Sequence, residues 1–176
     1  APVSGSKIQA ENAQLVAMLA GEKSVLKKIQ PLLAPMCREM FMCGSVPKAL
    51  LMKLSVNLFL ISMVTGLAES FHFAEKYGLD VKLLNYILDA GPMASDVSRI
   101  KAVKIKERNF TVQASIKDVL MNSRLVSDAA DEAGIASPLL DVCYSLYKEA
   151  IDLGYGKNDM VSVIHAIEKR TNDINI

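Results

Sequence analysis

Hydrophobic positions change their rhythm once along the chain. Up to about residue 46 they come in short unbroken runs, and beyond Pro47 they recur at helical spacing. Leu15, Val16, Ala17, Met18, Leu19 and Ala20 form an apolar run closed by Gly21, the pattern of a buried strand. Residues 22–36 place Val25, Leu26, Ile29, Leu32 and Leu33 on one side of a helix, with Lys23, Lys27 and Lys28 on the other. Pro31 predicts that this helix ends or kinks nearby, because proline lacks the amide hydrogen and crowds the preceding turn. Residues 39–43, before Gly44, read as a second short strand, and Ala1-Pro2-Val3 is a short apolar piece stopped by Ser4-Gly5-Ser6. Strand, helix and strand in this compass predict a crossover unit of an α/β sheet.

From Pro47 the pattern predicts helices only. Pro47 suits a first turn, and no breaker intervenes before Tyr77, with Gly78 as the capping glycine. That run is about 30 residues, or roughly 45 Å of helix. Asp80 caps a helix over Val81–Ala90 that stops at Gly91-Pro92, and Ser95 caps one reaching about Arg108. Ser115-Ile116-Lys117-Asp118 opens a helix to Ala133 that ends at Gly134. Ser137-Pro138 opens the next, closing at Gly154, and Asp159 caps a last helix from Met160 to about Arg170. The expected fold is therefore mainly α: a small α/β piece over residues 1–46, then an all-helical domain over residues 47–176 built on one long helix.

Composition narrows the class. The chain has 176 residues, 51% hydrophobic and 22% charged, which excludes intrinsic disorder. Lys plus Arg number 20 against 19 Asp plus Glu, so no global field gathers nucleic acid or an anionic membrane. The locally basic residues 99–108 lack interleaved aromatics and read as the solvated face of an amphipathic helix. Cys37, Cys43 and Cys143 are odd in number with no CxxC pair, which points to a reducing cytoplasm. Ala1-Pro2-Val3-Ser4-Gly5 lacks both the basic start and the apolar stretch of a signal peptide. Residues 49–68 match the ~20 residues of a bilayer crossing, yet Lys53 and Asn57 in their midst favour the central helix of a soluble core. The sequence contains neither GxGxxG nor GxxxxGK[ST], so no glycine loop cradles a nucleotide phosphate. His72 and His165 lie far apart and outside any HExxH, so no metal is expected.

Three places carry candidate chemistry. Lys53 and Asn57, four residues apart on the long helix, share a face among Leu50, Leu54, Leu58 and Ile61. Two accounts fit Lys53: a lysine that snorkels to water, or one held in a partly dry cleft whose lowered pKa lets it exchange protons, with Asn57 orienting its partner. Ser4-Gly5-Ser6 is either a plain turn or a turn whose amides and hydroxyls hold a carboxylate or phosphate. Lys117 shares a helix face with Met121, which reads on spacing as a solvated lysine followed by a core methionine.

These segments resemble a known family. Ala1-Pro2-Val3-Ser4-Gly5 resembles the substrate-binding segment of the β-hydroxyacid dehydrogenases, which include 3-hydroxyisobutyrate dehydrogenases and tartronate semialdehyde reductases. Residues 44–57, with a lysine followed four residues later by an asparagine, resemble that family's second motif. Residues 67–80 are similar to the continuation of its long interdomain helix, and residues 153–159, Leu-Gly-Tyr-Gly-Lys-Asn-Asp, resemble its closing turn. The four segments fall in the family's order and together span essentially the whole chain.

The resemblance implies the last strands of a Rossmann dinucleotide-binding domain over residues 1–46. An all-α 6-phosphogluconate-dehydrogenase-like domain for substrate binding and dimerisation follows over residues 47–176. It implies hydride transfer between NAD or NADP and a small hydroxyacid of the 3-hydroxyisobutyrate kind. In that chemistry Lys53 is the acid/base, Asn57 its partner, Ser4, Gly5 and Ser6 the substrate anchors, and Lys117 a cofactor contact. The phosphate loop then lies upstream of Ala1, and these 176 residues alone are expected to be inactive. A cytoplasmic homodimer or higher oligomer is expected, with no nucleic-acid or membrane partner. Three departures stand out: Pro47 and Ala49 replace glycines of the second motif, Ser6 replaces a third glycine of the first, and the family's Lys-Asp pair, matched from Phe110, falls on Met121 and Asn122. The departures leave a second reading, a catalytically weak homologue acting as a binding or oligomerisation module. An imine reductase is disfavoured, since those enzymes usually lack a lysine at this place.

Overall fold

The apolar run at 15–20 forms the middle strand of a three-stranded sheet. In the computed structural model, which describes residues 1–174, the sheet order is β1 (Val3–Ser4), β2 (Leu15–Ala20) and β3 (Cys37–Gly44). β2 pairs parallel with β3 through the crossover helix α2 (Lys23–Leu33), and β1 runs antiparallel to β2 with Val3 opposite Ala17. A strand flanked on both edges buries its centre: Ala17, Met18 and Leu19 are buried, and Leu26 of α2 packs with Ala17 and Leu19. α2 contains Pro31 and ends two residues later, where the Ala34 amide still bonds the Gln30 carbonyl. The missing proline amide falls in the last turn, where it disturbs little. A short helix not anticipated from the sequence, α1 (Lys7–Glu11), follows β1. Its signal is Ser6-x-x-Gln9, a capping box too brief to stand out by periodicity.

The helices are α3 (Lys48–Lys76), α4 (Val81–Ala90), α5 (Asp96–Lys106), α6 (Ile116–Ala133), α7 (Pro138–Asp152) and, after a 3₁₀ turn over Met160–Val163, α8 (Ile164–Ile174). Most boundaries follow local chemistry. Asp80 caps α4 through the Lys82 and Leu83 amides, Ser95 caps α5, and Ser115 caps α6 through the Asp118 amide. Gly134 takes the left-handed conformation (φ 66°) that ends α6. The chain divides into two compact units, Ala1–Asn57 and Leu58–Ile176, so the division falls within α3. In the second unit Ile116, Val119, Ser123, Val126 and Ala130 form the buried stripe of α6, and Leu140, Cys143, Tyr147 and Ala150 that of α7.

Two sequence expectations need correction. α5 does not present a solvated basic face: Lys101 and Lys104 are buried, because each ammonium has an oxygen partner inside the unit. α3 is not a helix buried all round. It is long and apolar enough by length and composition to cross a membrane, yet only 28% of its most apolar window is buried. Ile61, Val64, Ala68 and Phe71 are buried while Phe59 and Phe73 are exposed.

One surface network in this unit ties α3 and α8 through Arg108, just beyond the end of α5. Arg108 donates to Glu75 of α3 (2.8 Å) and Glu168 of α8 (2.6 Å), and Glu168 also pairs with His165. Burial alone would raise the Glu168 pKa; hydrogen bonds from His165 and Arg108 outweigh it and hold the carboxyl below its ordinary value. A carboxyl with a lowered folded pKa stabilises above its unfolded value, about 4.3, and loses that contribution as pH falls. Glu168→Gln is therefore expected to lower stability by about 1 kcal/mol at pH 7 and to converge on the parent protein near pH 3 in thermal unfolding. A deficit unchanged between those pH values would contradict the assignment.

Candidate active site

α3 carries the first pair of candidate groups because its lysine interrupts an otherwise apolar stretch. Lys53 is half-buried and Asn57, one turn on, is buried with 5% exposure. Desolvation pushes the Lys53 ammonium below the ordinary lysine value. Its half-buried position keeps part of the side chain out of bulk water. Both side chains belong to the unit Ala1–Asn57, as do Ser4, Gly5 and Ser6.

The Ser4–Ser6 turn is shaped by backbone rather than by side chains. Gly5 has φ 135°, and a Cβ there would stand 2.7 Å from the Leu15 side chain and 3.0 Å from the Gln9 Cβ. Ser6 is committed to the start of α1: its amide donates to Gln9 Oε1 at 2.9 Å and its hydroxyl to the same oxygen at 2.6 Å. Ser6 thus stands at the N-terminal cap of α1 with its hydroxyl proton engaged by Gln9.

Lys117 belongs to the second unit and its side chain is exposed. The backbone at the start of α6 is not free: the Ile116 amide donates to the Asn158 carbonyl (3.0 Å) and the Lys117 amide to the Gly156 carbonyl (3.1 Å). This helix start therefore offers a cationic side chain, not a cradle of amides. Met121 is 59% exposed, so it is not the core methionine that spacing suggested. The Asn122 side-chain amide donates to the Asp118 carbonyl at 2.7 Å.

Behind this helix start lies a cluster that sequence reasoning missed. Asp159, with no exposed surface, accepts from Lys101 Nζ at 2.8 and 2.9 Å and from the Gln113, Ala114 and Val161 amides. Lys101 Nζ also donates to Gln113 Oε1 at 3.2 Å. Asp159 was expected only as a helix cap, and it does cap the 3₁₀ turn. Its partner 58 positions away leaves no local signal.

His72, Glu75 and Glu168 bring ligand atoms within 4.8 Å of one another. The Arg108 guanidinium bridges the two carboxylates and supplies the positive charge that a metal ion would otherwise bring.

Comparison with known proteins places this architecture in a class. Residues 48–167 match the family described as NAD-binding of NADP-dependent 3-hydroxyisobutyrate dehydrogenase, and residues 1–44 the one described as NAD binding domain of 6-phosphogluconate dehydrogenase. The chain belongs to the β-hydroxyacid dehydrogenase family. It is 30% identical over 167 residues to glyoxylate/succinic semialdehyde reductase 1 of Arabidopsis thaliana, a match covering 95% of this chain and 58% of that protein. It is 29% identical over 163 residues to the cytokine-like nuclear factor N-PAC of Aedes aegypti, covering 93% of this chain and 29% of that protein. A crystal structure of 3-hydroxyisobutyrate dehydrogenase from Salmonella typhimurium superposes with a TM-score of 0.86 at 20% identity, covering 93% of this chain and 58% of that one. The chain thus spans about half the length of the curated enzyme relatives it matches.

The turn at Gly5 gives a direct test of its backbone role. Gly5→Ala must accommodate both a positive φ and the close approach to Gln9. We expect a loss of about 1–3 kcal/mol by chemical denaturation, whereas Ser4→Ala is expected to change stability by less than about 0.5 kcal/mol. Equal stability of Gly5→Ala and the parent protein would remove the constraint.

Proposed function

We propose that this chain supplies the acid/base lysine and the carboxylate-binding turn of an NAD(P)-dependent oxidoreductase acting on a small β-hydroxyacid of the 3-hydroxyisobutyrate kind. The observation that carries this reading is the half-buried Lys53, its proton loosened by desolvation, one helical turn from the buried Asn57. The family membership and the reductase and dehydrogenase names of the relatives support it.

In the reductive direction the Lys53 ammonium polarises the substrate carbonyl and gives its proton to the oxygen as hydride reaches the carbon. The product is an alcohol and a neutral amine. In the oxidative direction the neutral amine takes the hydroxyl proton. Asn57 orients the reacting oxygen by hydrogen bonding. The Ser4 hydroxyl and the Gly5 backbone receive the carboxylate, and the absence of a side chain at Gly5 lets that turn approach a ligand closely.

The nicotinamide cofactor, when bound, supplies or accepts the hydride. The residues present fit one end of it only: Lys117 offers a cation, while the sequence has no glycine loop for the pyrophosphate. The chain itself reads Lys117-Asp118 in the first turn of α6, so we assign the family's Lys-Asp pair to these two positions rather than to Met121 and Asn122. On this assignment the cofactor contact is retained, which favours an enzyme over a module without turnover.

Assembly belongs to the same reading. Tyr77, Leu83, Tyr86, Ile87 and Met93 are exposed apolar side chains of the second unit, and a homodimer through its helices would cover them. A reducing cytoplasm suits three free cysteines, and a net charge of +1 suits a protein with no nucleic-acid or membrane partner.

Assays of the full-length protein with small β-hydroxyacids, NAD and NADP test the proposal. Lys53→Ala is expected to lower kcat by about 10²–10⁴-fold with a small change in KM. Carbonyl reduction is expected to fall as pH rises through a pKa below 10.5, the ordinary lysine value, since only the ammonium donates. Undiminished kcat in Lys53→Ala would overturn the proposal.

A further inference from the structure

We infer that the buried Lys101–Asp159 pair is a positioning device that fixes Lys117 for its cofactor contact. The inference rests on the role of Lys117 proposed above. Its physical basis lies in the segment that delivers Lys117 to the start of α6.

Residues 110–115 have little regular structure, so their path is set by side chains and by the turn at 156–160. The Asp159 amide donates to the Phe110 carbonyl at 3.0 Å, and the Met160 amide to the Ala114 carbonyl at 2.8 Å. In return the Asp159 carboxylate takes the Gln113 amide at 2.8 Å and the Ala114 amide at 3.3 Å. Lys101 closes the arrangement, spending its ammonium protons on both Asp159 oxygens and on Gln113 Oε1. Lys104, one turn along α5, donates to the Thr111 carbonyl at 2.6 Å. Two buried lysines on one helix therefore hold both ends of the segment, and the next amides along the chain, at Ile116 and Lys117, are already tied to residues 158 and 156.

Neither Lys101 nor Asp159 reaches a ligand itself. Their side chains are 7% and 0% exposed. The exposed member is Lys117, three residues beyond Ala114. The pair therefore acts through backbone: with the carboxylate neutralised, the amides at 113 and 114 lose a charged acceptor and the Lys117 ammonium samples more positions. Cofactor affinity falls, while the Lys53 and Ser4 chemistry, in the other compact unit, keeps its own geometry. Loose placement of a contact residue weakens binding even when the residue itself is unchanged.

The experiment is a double-mutant cycle in the full-length protein, with cofactor Kd read by nicotinamide fluorescence titration and backbone order by amide hydrogen exchange. Asp159→Asn is expected to raise cofactor Kd about 10-fold, to leave the hydroxyacid KM within about twofold, and to speed exchange at residues 113–117. Lys117→Ala is expected to raise Kd similarly, and the double variant is expected to lose no more than Lys117→Ala alone. Lys101→Arg, which keeps the charge, is expected to retain most of the affinity. If Asp159→Asn fails to fold, Gln113→Leu, which removes one acceptor of the Lys101 ammonium, takes its place with an expected two- to threefold rise in Kd. Losses that simply add in the double variant, a Kd unmoved by Lys117→Ala, or equal falls in cofactor and hydroxyacid binding would each overturn the inference. Lys53→Ala kinetics, measured separately, show whether the proposed function itself stands.

Discussion

A carboxylate without exposed surface must have its charge answered where it sits. Asp159 is in that position, and the answer comes from Lys101 together with three backbone amides. Removing either ion would leave the other buried and uncompensated, a larger penalty than the pair's own net contribution to stability. The interaction is thus better understood as a constraint on path than as a source of stability. It fixes how α5, the following segment, the start of α6 and the 3₁₀ turn pass one another, and so where Lys117 stands.

The first unit depends on a constraint of another kind. β2 is buried because it has neighbours on both edges, and its partner β1 must then turn sharply to begin α1. Gly5 makes the turn, since its φ of 135° suits no other residue well. Helix α3 then carries Lys53 and Asn57 in a mostly apolar sequence, which is why the ammonium is only partly hydrated. Packing thereby sets the chemistry: the same apolar sequence that makes α3 resemble a membrane span keeps Lys53 partly out of water and lowers its affinity for a proton.

Much of this was legible in the sequence where the determinants are local. β2 at 15–20, α4 at 81–90 and α6 at 116–133 lie where an apolar run, an Asp80 cap and a Ser115-to-Gly134 frame put them. The parallel pairing of β2 and β3 followed from the length of the connection between them. What depended on distant residues was not legible. The basic stretch at 99–108 looked solvated because the partner that buries Lys101 is 58 positions away and the one for Lys104 is a backbone carbonyl. The lysine and asparagine of α3 were visible as types and spacing, whereas their unequal burial required the packed structure.

Everything proposed for the chemistry turns on the state of one amine. Its most direct test is a side-chain titration of Lys53 by ¹⁵N NMR in lysine-labelled protein, assigned with Lys53→Arg. A midpoint clearly below about 10.4, with slowed ammonium hydrogen exchange, is the expected result. A midpoint at or above that value, with the exchange of a fully hydrated lysine, would contradict a proton-transfer role for Lys53.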